Sequence, residues 1–157
     1  MAIIQTQSSA PRPRAADAAN EDLAPNDHFK IQDGVPFAGA HLLLDMWGAG
    51  HLDDPEILGQ AMRAAVRAAE ATLLHLHLHH FSPQGGVSGV AVLAESHISV
   101  HTWPEHGFAA FDIFMCGAAH PHLAAKALRD ALHPSRIELN ELRRGLLPGA
   151  APGNDPG

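Results

Sequence analysis

Three short stretches, GGVSG, AESHISVHTWPE and FDIFMCG, bring Ser88, Ser96, His101, Glu105 and Cys116 into residues 85–117. A hydroxyl beside an imidazole suggests acyl chemistry, a thiol can act as a nucleophile or a proton donor, and a carboxylate can accept hydroxyl or cationic groups. A Ser/His hydrolase is disfavoured. The G-x-S-x-G elbow is absent, and Ser96 follows Glu95 where such a nucleophile would stand on a strand-to-helix turn. A Cys116 nucleophile paired with His101 has no local support. A purely structural account also exists: Ile98 and Val100 alternate with polar residues, so the serines and histidines could be the outward face of an ordinary strand.

A second cluster precedes these. In ATLLHLHLHHF, leucines 74, 76 and 78 alternate with His75, His77 and His79, which reads as a strand with one apolar and one imidazole face. Such a face could hold a metal, but no cysteine or carboxylate lies in that segment to complete a ligand set, and the plain reading is a polar sheet face.

Positioning these residues requires a sheet and something to cover it. Residues 37–47, FAGAHLLLDMW, read as a first apolar strand. A helix follows, with Asp54 as its cap, Pro55 at its first position, Glu56 complementing the dipole, and Leu58, Met62, Ala65, Val66 and Ala69 facing inward. After the histidine strand and the turn SPQGG come three tightly joined strands, VSGVAVLA, SHISVHTW and GFAAFDIFMCG, the second joint being Pro104–Gly107. HPHLAAKALRDAL predicts a second helix with Leu123, Ala124, Ala127, Leu128 and Ala131 inward, and SRIELNEL a final strand. This order predicts an α+β two-layer sandwich: a largely antiparallel sheet with two helices on one face. One domain is expected over residues 31–147, between a disordered extension, 1–30, and a disordered tail, 148–157, both rich in Ala, Pro, Asp and Asn.

Composition narrows the partners. Seventeen acidic against ten basic residues give a net charge of −7 with no Lys/Arg stripe, which argues against nucleic acid and suits a cationic small substrate. No apolar run approaches the roughly 20 residues that span a bilayer, and the N-terminal residues lack the pattern of a secretory signal, so a cytoplasmic protein with no membrane partner is expected. Cys116 is the only cysteine, which rules out an internal disulfide; on composition alone it reads as a buried core residue.

GVSGVAVLAESHISVHTWPEHGFAAFDIFMCG resembles the core of the short prokaryotic S-adenosylmethionine decarboxylases, pyruvoyl enzymes of spermidine synthesis, and the resemblance runs from about Gly39 to about Gly145. It implies a proenzyme that cuts itself between Glu95 and Ser96: the Ser96 hydroxyl attacks the Glu95 carbonyl, the resulting ester undergoes β-elimination, and the remnant of Ser96 becomes a covalent pyruvoyl cofactor. Such a ketone would form a Schiff base with the amine of S-adenosylmethionine and accept the electrons left by carbon dioxide. The resemblance further assigns proton donation to Cys116, help in self-processing to His101, processing support to Ser88 and ribose binding to Glu105. The decarboxylated product would be the aminopropyl donor for spermidine. A homodimer of processed protomers is expected, with the pocket bordering the contact.

Two features stand apart from that pattern. The family's adenine-stacking aromatic falls six positions before the GVSG serine, where this chain has Ser82; Phe81 lies seven before, and the doubled Gly85–Gly86 would restore it as a one-residue insertion. Ser96 and His101, five apart, point to opposite faces of a straight strand, so contact between them requires a bend or bulge. Alternative functions are a pyruvoyl-dependent arginine or ornithine decarboxylase on the same scaffold, an uncut non-catalytic relative, and a histidine-strand metal module.

Overall fold

A computed structural model of the chain describes residues 28–81 and 85–147. The expected disordered ends and part of the SPQGG turn therefore fall largely outside the described residues. The elements are β1 (Lys30–Gln32), β2 (Val35–Trp47), α1 (Pro55–Ala68), β3 (Leu73–His80), β4 (Val87–Leu93), β5 (Ser96–Trp103), β6 (Phe108–Met115), α2 (Pro121–Leu132) and β7 (Arg136–Leu146). The strands form one seven-stranded antiparallel sheet in which β7, β2, β6, β5, β4 and β3 lie side by side. Phe37 pairs with Lys30 of β1 and with Leu146 of β7, so those strands lie on opposite edges of β2, and β1 follows β6 end to end.

Alternation decides the layers. Leu42, Leu44, Met46, Phe111, Ile113, Ile98, Val100, Ala91 and Leu93 point to one face and form a single core with Leu58, Met62, Val66, Leu128 and Leu132 of the helices. Both helices thus cover the same face. α1 begins where the sequence predicts: Asp54 Oδ1 accepts from the Glu56 and Ile57 N–H groups at 2.9 and 3.1 Å, and Pro55 occupies the first turn.

Three local expectations are corrected. β1 was not expected; Asp33 and Gly34, at φ 55° and 74°, make a two-residue turn that adds it as a hairpin. Leu74 is 64% exposed, because a register shift between Leu73 and His75 removes it from the face of Leu76 and Leu78. On α2 the buried stripe is Pro121, Ala124, Ala125, Leu128 and Leu132, whereas Leu123 faces outward. The alanines of this helix fit either stripe, and the packing selects the one that buries Leu132.

Candidate active site

The turn between β4 and β5 consists of Ala94 and Glu95, with Leu93 opposite Ser96. Glu95 has φ 63°, a left-handed conformation that costs a residue other than glycine about 1–2 kcal/mol. Ser96 opens β5 on the helix-covered face, is 9% exposed, and its Oγ accepts the Cys116 N–H at 3.2 Å. The contact follows from register: His97 is opposite Phe114, so the residue beyond β6 lies beside the start of β5. Burial pushes the Cys116 thiol pKa up, the Glu95 carboxylate pushes it further, and the Lys30 ammonium opposes both.

Ser88, His101, Glu105 and Phe81 form a second group on the other face. Ser88 and His101 are register partners in β4 and β5, with Oγ and Nδ1 2.8 Å apart. They line a cleft of about 400 Å3 with Phe81, Gly85, Gly86, Thr102, Trp103 and Glu105. The doubled glycine has a physical reason: a Cβ at Gly85 would overlap the Phe81 carbonyl and one at Gly86 the Thr102 carbonyl. The Phe81 N–H donates to the Gly86 carbonyl at 3.0 Å, which seats Phe81 at the cleft despite its displaced position in sequence. Glu105 is exposed on a single 3-10 turn, Pro104–His106, closed by left-handed Gly107.

The expected site residues thus come together as two groups, Glu95/Ser96/Cys116 and Phe81/Ser88/His101/Glu105. β5 keeps continuous register with β4 and β6 from His97 to His101, so no bulge turns His101 toward Ser96. Five residues of strand also separate them by about 16 Å. Within one protomer His101 does not reach Ser96.

Several neighbours were not singled out in the sequence. Thr102 is buried; its hydroxyl accepts the Val87 N–H at 2.7 Å and donates to the Leu52 carbonyl at 2.6 Å, fixing the backbone beside Ser88. The Trp103 ring packs on Phe108, which packs on Trp47, with centroids 5.3 Å apart in both cases. His28 and Lys30 approach the Glu95/Cys116 side: His28 Nδ1 is 2.9 Å from Glu95 Oε2, and burial lowers the Lys30 pKa against the opposing effects of Cys116 and Glu141. The only advance signal for this pair was the Asp33–Gly34 turn. The row of His75, His77 and His79 brings the rings of His75 and His77 into parallel stacking, with centroids 6.5 Å apart. Among the described residues no group of three or more His, Cys, Asp or Glu side chains could hold a metal.

Outside the cleft, the face without helices is partly polar. Arg144 donates to His41 Nδ1 at 3.2 Å, which leaves His41 Nε2–H to donate to Asp112 at 3.3 Å, and Ser99 donates to the other Asp112 oxygen at 3.0 Å. His97 beside them has a lowered pKa, first from burial and then from the proximity of His41, with Asp112 opposing.

Known proteins resemble this chain in sequence and fold. The family model for S-adenosylmethionine decarboxylase matches residues 40–145. A protein of Thermomicrobium roseum named S-adenosylmethionine decarboxylase proenzyme is 42% identical over 110 residues, covering 69% of this chain and 95% of the relative. A protein of the same name from Methanococcus maripaludis is 45% identical over 112 residues, 69% of this chain and 91% of the relative. The crystal structure of the adenosylmethionine decarboxylase of Aquifex aeolicus VF5 superposes with a TM-score of 0.64 at 35% identity, covering 71% of this chain and 93% of that one. With the family model matching most of the described sheet and both helices, the chain belongs to the S-adenosylmethionine decarboxylase family.

Proposed function

We propose that this chain is a proenzyme that cuts itself between Glu95 and Ser96 and then decarboxylates S-adenosylmethionine with a pyruvoyl group made from Ser96. The observation that carries the reading is the buried Ser96 hydroxyl, held by the Cys116 N–H directly after a left-handed Glu95. That setting fits the group: a hydroxyl stands next to the carbonyl it must attack, in a turn already away from relaxed geometry. In the cut, the Ser96 Oγ–Glu95 carbonyl bond forms as the peptide C–N bond breaks. Removal of the Ser96 α-proton then breaks the Ser96 Cβ–Oγ bond and expels the main-chain carboxylate of Glu95 as the new end of chain 1–95, and hydration with loss of ammonia leaves the ketone on chain 96–157.

When formed, the pyruvoyl group would supply the electron sink for loss of carbon dioxide. The remaining work falls to side chains. A thiol with a raised pKa stays protonated at neutral pH, which suits Cys116 to return one proton to the substrate α-carbon. His101 Nδ1 is held by Ser88, which orients the ring for proton removal during processing. Phe81 and Glu105 flank a cleft of a size suited to a nucleoside, one offering a ring face and the other a carboxylate for ribose hydroxyls.

The separation of the two groups supports a homodimer. A second copy laid on the face without helices would cover Trp47, Phe108 and Trp103, and a shared site would need the His101 of one copy to meet the Ser96 of the other. No helix among the described residues is long and apolar enough to cross a membrane.

The test is mass spectrometry of the purified chain together with carbon dioxide release from S-adenosylmethionine. Two chains meeting at 95/96 and activity that disappears with Ser96→Ala are expected. A single uncut 157-residue chain with full activity would overturn the reading.

A further inference from the structure

The family match begins at residue 40, yet a segment before it touches both of the chains that the proposed cut would create. β6 ends at Met115 opposite Ala40 while β2 begins at Val35, which leaves a vacant stretch of β2 edge beyond β6. The Asp33–Gly34 turn folds β1 into that stretch, with Lys30 opposite Phe37 and Gln32 opposite Val35. Three contacts fasten the result. His28 Nδ1 meets Glu95 Oε2 at 2.9 Å, the His28 carbonyl accepts the Gly117 N–H at 2.7 Å, and Lys30 Nζ donates to the Ala119 carbonyl at 2.7 Å. One short strap therefore ties the residue that supplies the attacked carbonyl to the loop that follows Cys116.

We propose that His28 is a positioning residue for self-cleavage: by anchoring the Glu95 side chain to the Cys116–Ala119 loop, it keeps the Glu95–Ser96 bond in the left-handed turn from which Ser96 attacks. This rests on the proenzyme reading above. A hairpin turn of two residues can relax through Glu95, the residue in the unfavourable region. Pinning its side chain from outside the hairpin reduces that relaxation, so more of the population holds hydroxyl and carbonyl in reacting geometry. The pair is half-exposed, 47% and 50%, and so adds little to global stability. Its effect belongs on the rate of cutting. His28 itself has φ 53°, which asparagine tolerates, and the asparagine amide can take the place of Nδ1.

The experiment follows conversion of the full chain, made by cell-free synthesis, into fragments 1–95 and 96–157 over time by mass spectrometry. His28→Ala and Glu95→Ala should each slow conversion about 2- to 5-fold, and the double variant should be no slower than the slower single one, because both remove the same contact. His28→Asn should recover most of the rate, and melting temperatures should stay within about 3 °C of the unmodified chain. An unmodified chain that cuts at 95/96 with His28→Ala cutting equally fast overturns the positioning role, as do single effects that multiply in the double variant. If His28→Ala does not fold, Glu95→Ala decides alone: an unchanged rate overturns the proposal. An unmodified chain that never cuts overturns the proenzyme reading itself, and the role of His28 with it.

Discussion

Ser96 and His101 occupy the same strand, five residues apart, yet face opposite sides of the sheet with no register shift between them. A shared site therefore calls for the imidazole of another copy. Co-expression of Ser96→Ala with a His101→Ala chain checks this: the first cannot be cut but still carries His101, and the second retains Ser96. The expected outcome is cutting of the His101→Ala chain in the mixture at least about 10-fold faster than when it is made alone. Equal rates would show that each protomer processes itself.

Cys116→Ser separates cutting from turnover. Fragments 1–95 and 96–157 should still form, while carbon dioxide release falls about 100-fold or more, since a hydroxyl is a far weaker acid than a thiol. Unchanged turnover would remove Cys116 from the proton-donor role.

The same thiol sets a pH dependence. Activity that needs protonated Cys116 is present below its pKa and lost as pH rises through it, and burial places that loss above the ordinary thiol range. Lys30 opposes the rise, so Lys30→Met should move the alkaline limb of turnover to still higher pH. A limb that moves down, or stays in place, contradicts the assignment.

Phe81→Ala and Glu105→Gln should weaken use of S-adenosylmethionine and leave cutting intact. A ring stacked on a base contributes about 1–3 kcal/mol, so kcat/KM should drop roughly 5- to 150-fold for Phe81→Ala. Measuring arginine and ornithine beside S-adenosylmethionine shows whether the cleft selects a nucleoside.

Thr102→Val keeps the side-chain shape but leaves the Val87 N–H and Leu52 carbonyl without their buried partner. The cost should be about 2–4 kcal/mol, a fall of roughly 10 °C in Tm, read by calorimetry on the Ser96→Ala chain so that processing does not intervene.

Features with a short-range cause were legible in the sequence. Asp54–Pro55–Glu56 names the start of α1 from three residues, and period two names β3 to β6. Even the Ser88–His101 pair was accessible, because a two-residue turn at Ala94–Glu95 sets Leu93 opposite Ser96 and fixes every later partner. What escaped had weak local contrast or distant causes. β1 is three residues long with Ile31 and Gln32 exposed, so it offers no apolar alternation, and only its Asp-Gly turn announced it. The buried side of α2 is ambiguous in a helix rich in small residues. His28 meets Glu95 only because β6 stops short of the end of β2, a relationship between strands far apart in the chain.

The strand order has a consequence for the two products of a break at 95/96. Chain 1–95 would own β1, β2, β3 and β4, and chain 96–157 would own β5, β6 and β7. Because β2 lies between β6 and β7, and β4 is bonded to β5, the pieces are woven through one another rather than laid side by side. Parting them means tearing three ladders and dividing a common core, so the severed molecule should persist as a single knitted body, and its halves, once unravelled, would have to find both flanks of β2 again to rebuild it.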